Sequence, residues 1–185
     1  MYSTEVKDEI LNLLKKVQRD GIENLIKYLN DNDYFTAPAS VNGHSNEVGG
    51  LAHHSLTVYR NLVSLCQLKN INIPDDSLVL CALLHDLCKV NFYVKSTKNK
   101  KIDGVWKTID CWDYSRTFPA GHGEKSVFRA MQFIKLKEDE ILAIRWHMGG
   151  FDESAKGYDI GEALKRPLVL LLHLADMMSV YIDNV

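Results

Sequence analysis

The sequence predicts an all-α fold, a helical body carrying a small β-hairpin. Apolar residues recur at helical spacing through most of the chain, and the run 78–84 is apolar nearly all round, as in a buried central helix. Between Phe92 and Tyr114 that pattern gives way to short strand-like runs flanking Asp103-Gly104, a dipeptide suited to a tight hairpin turn. A chain of 185 residues has the size of one domain. That unit is expected to span 1–185, with N-terminal helices in 1–32 and the hairpin inserted at 92–114.

Ile10, Leu13, Leu14 and Val17 repeat after a Ser3/Thr4 start and define a first helix. Ile22, Leu25, Ile26 and Leu29 define a second beyond the break at Gly21. The stretch 30–50 gathers Asn, Asp, Pro38, Ser40, Asn42, Gly43 and Gly49-Gly50, so it predicts a long loop, a length that usually serves function. A third helix is expected over 51–69, and a fourth, capped by Asp75 or Asp76, over about 75–90. The lysine-rich run 98–101 is expected in the solvated turn of the hairpin. Helices resume over about 123–136, 138–148 and 167–182, the last with Pro167 in its first turn. Gly149, Gly150, Gly157 and Gly161 predict a flexible loop between the last two.

Composition excludes several classes. A formal charge of −2 leaves no global positive field to gather nucleic acid or an anionic membrane. The longest uninterrupted apolar run, 78–84, is far below the roughly 20 residues that a membrane span needs. The charged, amphipathic start Met-Tyr-Ser-Thr-Glu-Val-Lys-Asp-Glu has no apolar signal core, so a cytoplasmic location is expected. Cys66, Cys81, Cys88 and Cys111 show no Cys-x-x-Cys spacing, and Cys81 and Cys88 fall on one face of an apolar helical stretch. All are expected as buried free thiols rather than a zinc or redox site.

The seven histidines are the one unusual count, and their placement is informative. His54 falls early in the third helix, His85-Asp86 on the fourth, His122 at the start of the fifth, His147 at the end of the sixth and Asp176 within the last. Burying a carboxylate costs several kcal/mol unless it is paired or ligates a metal, so Asp86 and Asp176, each in an apolar run, demand a partner. A cation held between the helices meets that demand. Imidazole and carboxylate together suit Mn, Fe, Ni, Co or Zn, with Mg less suited to so many nitrogen donors. Lys89, one turn beyond His85 and Asp86, is placed to reach a phosphate oxygen or leaving group.

The order His54, His85-Asp86, Asp176 resembles the metal signature of the HD-domain superfamily of phosphohydrolases. Gly49-Gly50-Leu51-Ala52-His53-His54-Ser55-Leu56 is similar to that family's first-histidine motif and assigns the ligand to His54 rather than His53. Leu84-His85-Asp86-Leu87-Cys88-Lys89 resembles its His-Asp motif, with Cys88 standing where glycine is common. The strings around His122 and around Arg145-Trp146-His147 are similar to the extra histidines of the subgroup with two metals, in short bacterial and phage members. The resemblance covers roughly 35–183. It implies an HD-type helical bundle in which His54, His85, Asp86 and Asp176 hold one ion and His122 and His147 a second, with Asp86 bridging.

The expected activity is hydrolysis of a phosphate ester, preferably of a nucleotide, by metal-activated water, with Asp86 and Lys89 as the catalytic pair. Lys89, Arg145, Lys125 and His44 are the candidate substrate-binding residues. Structural pairing is an equal reading of Arg145 and an ordinary loop position of His44. His173 is read as a packed core histidine or an outer partner of the centre. Trp106, Trp112, Phe118 and Phe151 could stack on a base, although hairpin packing explains the tryptophans more simply. A small phosphorylated substrate is the expected partner, with no membrane contact, nucleic acid disfavoured and self-association left open. Two other classes remain: a di-iron oxygenase on the same ligands and a non-catalytic nucleotide-binding module.

Overall fold

The computed structural model describes residues 4–41, 46–115, 118–152, 154–155 and 158–185. Its helices are α1 (Thr4–Leu14), α2 (Ile22–Asp31), α3 (Gly50–Lys69), α4 (Asp75–Leu84), α5 (His122–Ala130), α6 (Glu138–Trp146), α7 (Tyr158–Ala163) and α8 (Pro167–Tyr181). Between α4 and α5 the strands β1 (Tyr93–Ile102) and β2 (Val105–Tyr114) pair antiparallel, from Tyr93 opposite Tyr114 to Ile102 opposite Val105. Asp103 and Gly104 both take positive φ, 51° and 80°, the geometry that matches a two-residue turn to strand twist. The lysine-rich run 98–101 lies within β1 and is exposed there, so it is not part of the turn.

The hydrophobic core centres on α4, which is buried at every position from Ser77 to Leu84. Helices α3, α6 and α1 pack on it, and α8 packs on α3 and α6. Tyr34, fully buried in the turn after α2, donates its hydroxyl to Leu83 O at 2.8 Å and ties the N-terminal helices to α4. Gly21 takes φ 89° where the chain turns into α2, and a Cβ there would stand 1.9 Å from Phe133 O. Only glycine serves both the left-handed backbone and that close approach.

Several expectations are corrected. The fourth helix ends at Leu84, not near Val90; His85 closes it, Asp86 sits at φ −105°, ψ 20°, and Leu87–Lys89 forms a 3-10 turn. The apolar pattern runs on through Leu87, Cys88 and Val90, all buried, so periodicity carried no sign of the break. Cys81 and Cys88 consequently do not share a helix face, and Cys111 on β2 is only half-buried. Pro74 occupies the cap of α4, while Asp75 and Asp76 lie in the first turn, favourable to the helix dipole. Helix α7 occupies part of the predicted loop; Ile160, Ala163 and Leu164 pack on the core despite the flanking glycines.

One buried ion pair braces this bundle. Arg19, between α1 and α2, makes two hydrogen bonds to Glu140 on α6, at 2.6 and 3.1 Å. Ser77 on α4 donates to the same carboxylate at 2.6 Å, and Lys137 N at 2.7 Å. Burial pushes the Glu140 carboxyl up, but these donors outweigh it and hold the group below its ordinary 4.5. A depressed carboxyl stabilises the fold above its unfolded pKa and stops doing so as pH falls through the folded value. Glu140→Ala, which leaves Arg19 buried and unpaired, is expected to cost about 3–5 kcal/mol in urea unfolding at neutral pH. Glu140→Gln should lose less stability than the parent protein when the pH is lowered below 4.5, as measured by the same unfolding midpoint.

Candidate metal centre

The site forms where helix ends meet. His54 comes from the first turns of α3, Asp176 from the middle of α8, and His122 is the first residue of α5. His85 and His147 each stand one residue past the end of a helix, α4 and α6, and Asp86 follows directly. Both terminal histidines use the same device. His85 Nδ1 donates to Ala82 O at 2.8 Å and His147 Nδ1 to Ile144 O at 2.7 Å. A carbonyl can only accept, so each neutral ring carries its proton on Nδ1 and presents a bare Nε2.

His54 is fixed similarly. Ser179 Oγ donates to Asp176 O at 2.7 Å, so at 3.1 Å it accepts from His54 Nδ1. The Nε2 atoms of His54 and His85 then face one another at 3.1 Å, lone pair against lone pair. His147 Nε2 is buried and has no hydrogen-bond partner. The carboxylates complete the cluster. Asp176 Oδ1 lies 3.2 Å from His54 Nε2 and 3.9 Å from His85 Nε2. Asp86 divides its oxygens: Oδ2 lies 3.6 Å from His54, 3.5 Å from His85 and 2.5 Å from Lys89 Nζ, while Oδ1 lies 2.6 Å from His122 and 3.6 Å from His147.

This donor set fits a cation. Opposed lone pairs, an orphaned imidazole nitrogen and two carboxylates are mutually repulsive without positive charge among them. Donors about 2.0–2.2 Å from one ion stand about 3–3.5 Å from each other, close to the separations observed. The groups His54-His85-Asp176, His85-Asp86-His147 and Asp86-Cys88-His122 each have ligand atoms within 4.8 Å of one another. Burial pushes the Asp86 carboxyl up, yet Lys89, His85 and His122 hold it well below the carboxylate range. Burial likewise opposes ionisation of Asp176, and its histidine neighbours, His54 first, nonetheless hold it below the carboxylate range. The Lys89 ammonium, despite burial, is held above its ordinary value by Asp86. Burial lowers His122 and pushes the Cys88 thiol up to about 12.

A cavity of about 310 Å³ opens on the cluster. His54, Asp86, Lys89 and Asp176 form its polar end, and Met148, Phe151, Met177, Val180 and Tyr181 its apolar wall. Of the predicted substrate-binding residues, only Lys89 among the described ones lines it. Arg145 is committed elsewhere, to Asp152 at 2.7 Å, Glu124 at 2.6 Å and the face of Trp146. Lys125 lies over the Phe92 ring, 5.6 Å from its centroid, and His44 falls outside the described residues. His173 Nδ1 donates to His147 O at 2.7 Å, which makes it an outer brace of the centre. Phe151 stands at the cavity, whereas Trp106 is exposed on the hairpin.

Sequence reading missed Ser179, the α8 residues of the wall, and the contact of Cys88 with His122. Ser179 is three residues beyond Asp176, which spacing could have revealed. Gly123 allows the histidines of α5 and α6 to converge, because a Cβ there would lie 2.1 Å from Arg145 O.

The family model described as the HD domain matches residues 51–180. No curated protein and no solved structure matches the chain.

Chelator-stripped protein is expected to gain about 2.7 kcal/mol in unfolding free energy when a divalent transition metal is supplied at a hundredfold its Kd. Asp86→Ala should abolish that gain. Ser179→Ala, which releases the His54 ring, should weaken the metal by about 10- to 100-fold in calorimetric titration.

Proposed function

The chain belongs to the HD-domain family, generally metal-dependent hydrolases, and from that membership we propose that it hydrolyses a small phosphate ester, preferably of a nucleotide, at a centre of two metal ions. The observation that carries this reading is the divided Asp86 carboxylate. Each oxygen faces its own set of histidines, the arrangement a bridging ligand between two ions requires. His54, His85 and Asp176 would hold one ion with Asp86 Oδ2; His122 and His147 would hold the other with Oδ1. Divalent Mn, Fe, Ni, Co or Zn bound there would supply an activated water and positive charge for the phosphoryl oxygens.

The residues of the chain have distinct tasks. Lys89 Nζ spends one hydrogen bond on Asp86 Oδ2 and keeps donors for a phosphate oxygen or the leaving oxygen at the polar end of the cavity. Its charge is secured by Asp86, so it acts as a fixed cation and donor. The apolar wall of Met148, Phe151, Met177, Val180 and Tyr181 accommodates the body of the ester. A cavity of about 310 Å³ suits a nucleotide-sized ligand. The formal charge of −2 also favours a small substrate over nucleic acid, because the ions would supply the local positive field. No helix among the described residues is long and apolar enough to cross a membrane. We assign the activity to the cytoplasm.

Metal-reconstituted protein is expected to release phosphate or nucleoside from members of a nucleotide panel, with Mn, Co or Ni stimulating. Lys89→Met should lower kcat by about 10²–10³-fold, the scale for one lost transition-state donor. Iron retained with oxygen uptake and no phosphate release would replace the reading with an oxygenase. Metal and nucleotide binding without turnover would replace it with a binding module.

A further inference from the structure

The hairpin of β1 and β2 is required neither by the core nor by the proposed reaction. Its root is fixed. The rings of Phe92, Tyr93 and Tyr114 pack together with centroids 5.1, 5.4 and 5.9 Å apart, and Tyr93 donates its hydroxyl at 3.3 Å to the carbonyl of Ala39, a residue that lines the cavity. Beyond the root, among the described residues, no third strand joins the two, and their side chains are exposed or half-buried. Residues paired across antiparallel strands project from the same face. Tyr93 with Tyr114, Lys95 with Trp112 and Lys101 with Trp106 therefore share one face, on which the polar pairs Thr97–Asp110 and Asn99–Thr108 lie between the two tryptophans. Thr108 Oγ1 donates to Asn99 Oδ1 at 3.0 Å. From Trp106 to Tyr114 the aromatic side chains are spread over about 27 Å of β2, at about 3.4 Å per residue. Trp106 is 69% exposed, so packing within the hairpin does not account for it.

The hairpin is also the basic part of an acidic molecule. It holds five lysines and three aspartates, +2 in a chain of −2, which leaves −4 for the remainder. The lysines that form ion pairs among the described residues are Lys27, Lys89 and Lys165, so no neighbouring carboxylate neutralises any of the five. Lys100 stands directly opposite Lys107, with Lys98 on the same face, a like-charge grouping that weakens strand pairing until an anion lies against it. Free cations, and aromatic platforms interleaved with hydrogen-bonding groups, match a flexible polyanion that carries its own planar rings. A lipid surface takes instead a face that is apolar throughout with the charges opposite, and here Lys, Thr, Asn and Asp interrupt the aromatic face. We propose that the hairpin is a docking arm for single-stranded nucleic acid, with bases stacked on Trp106 and Trp112 and phosphates held by its lysines. The net negative charge of the rest of the chain disfavours the same polyanion elsewhere and confines it to the arm. The substrate of the cavity stays a small ester; the arm is a separate surface that starts at the cavity's rim, and its role does not depend on what the metal centre hydrolyses.

The test is fluorescence anisotropy of a labelled oligothymidylate titrated with the full chain, repeated across a salt series. The oligonucleotide is expected to bind at low salt, with log K falling against log[salt] by about 0.7 for each phosphate neutralised. Trp106→Ala is expected to weaken binding by about 5- to 150-fold, the range for one lost stacking platform, while Trp106→Phe retains most of it. Replacing Lys98, Lys100 and Lys107 together by Gln should flatten the salt slope, with a far-ultraviolet circular dichroism spectrum like the parent's as the check that the helical body is intact. No binding at low salt, binding that both Trp106→Ala and the lysine variant leave unchanged, or equal affinity for a duplex of the same length would overturn the proposal. So would phosphatidylserine vesicles bound in place of the oligonucleotide, or a dimer in sedimentation that Trp106→Ala dissociates while the oligonucleotide stays unbound. Every readout is binding, so phosphate release from the cavity neither supports nor removes the arm's role.

Discussion

A buried carboxylate at the end of a buried helix is the constraint around which this protein is arranged. Asp86 is 2% exposed, follows directly on the most deeply packed helix of the fold, and lies within 3.6 Å of the Nε2 atoms of four histidines. Such a group is tolerable only where positive charge meets it. Lys89 supplies one charge; the remaining oxygen contacts are with imidazoles, three of whose lone pairs face inward because their other nitrogens are already bonded. Two of the hydrogen bonds that fix those tautomers are local, to a carbonyl three residues back, and the third crosses from His54 on α3 to Ser179 on α8. His85 and His147 are therefore oriented by their own helix ends, and His54 by the packing of α8 on α3.

Bringing the helix ends together falls to packing and to a different buried charge. Glu140 ties the α1–α2 connection, α4 and α6 through Arg19, Ser77 and the amide of Lys137, all remote from the cavity. It holds the first turns of the two helices whose opposite ends carry His85 and His147. Gly123 sets the separation of α5 from α6, because a side chain there would drive the carbonyl of Arg145 away and with it the ring of His147. Arg145 itself serves this architecture, bonded to Glu124 at the start of α5 and to Asp152 beyond α6. The cation that sequence order sets beside the last histidine motif braces the walls of the centre.

Much of the fold was legible because helical burial writes itself into residue spacing. The amphipathic pattern located α1, α2, α3, α6 and α8 within a few residues, and Asp103-Gly104 located the hairpin turn because few dipeptides accept two positive φ angles. Where burial is total the signal vanished. Around α4 every side is apolar, so the break at His85-Asp86, on which the site's geometry depends, left no trace in periodicity. Helix α7 was hidden for the opposite reason, its short apolar face being interrupted by Gly161, a residue type that normally marks loops.

By itself the sequence determined the inventory: a helical chain, a hairpin after the central helix, and histidines and aspartates in apolar settings whose burial would be intolerable without a cation. Family membership follows from that order of residues, since it is a property of the string. Only the tertiary structure decided which atoms face each other. It divided the two oxygens of Asp86 between two sets of rings, turned Lys89 into the cavity and Arg145 out of it, and set the Cys88 sulfur over His122. Spacing along one helix constrains only neighbours on that helix. Contacts between helix ends depend on crossing angles, a broken helix and a missing Cβ, which no single segment encodes.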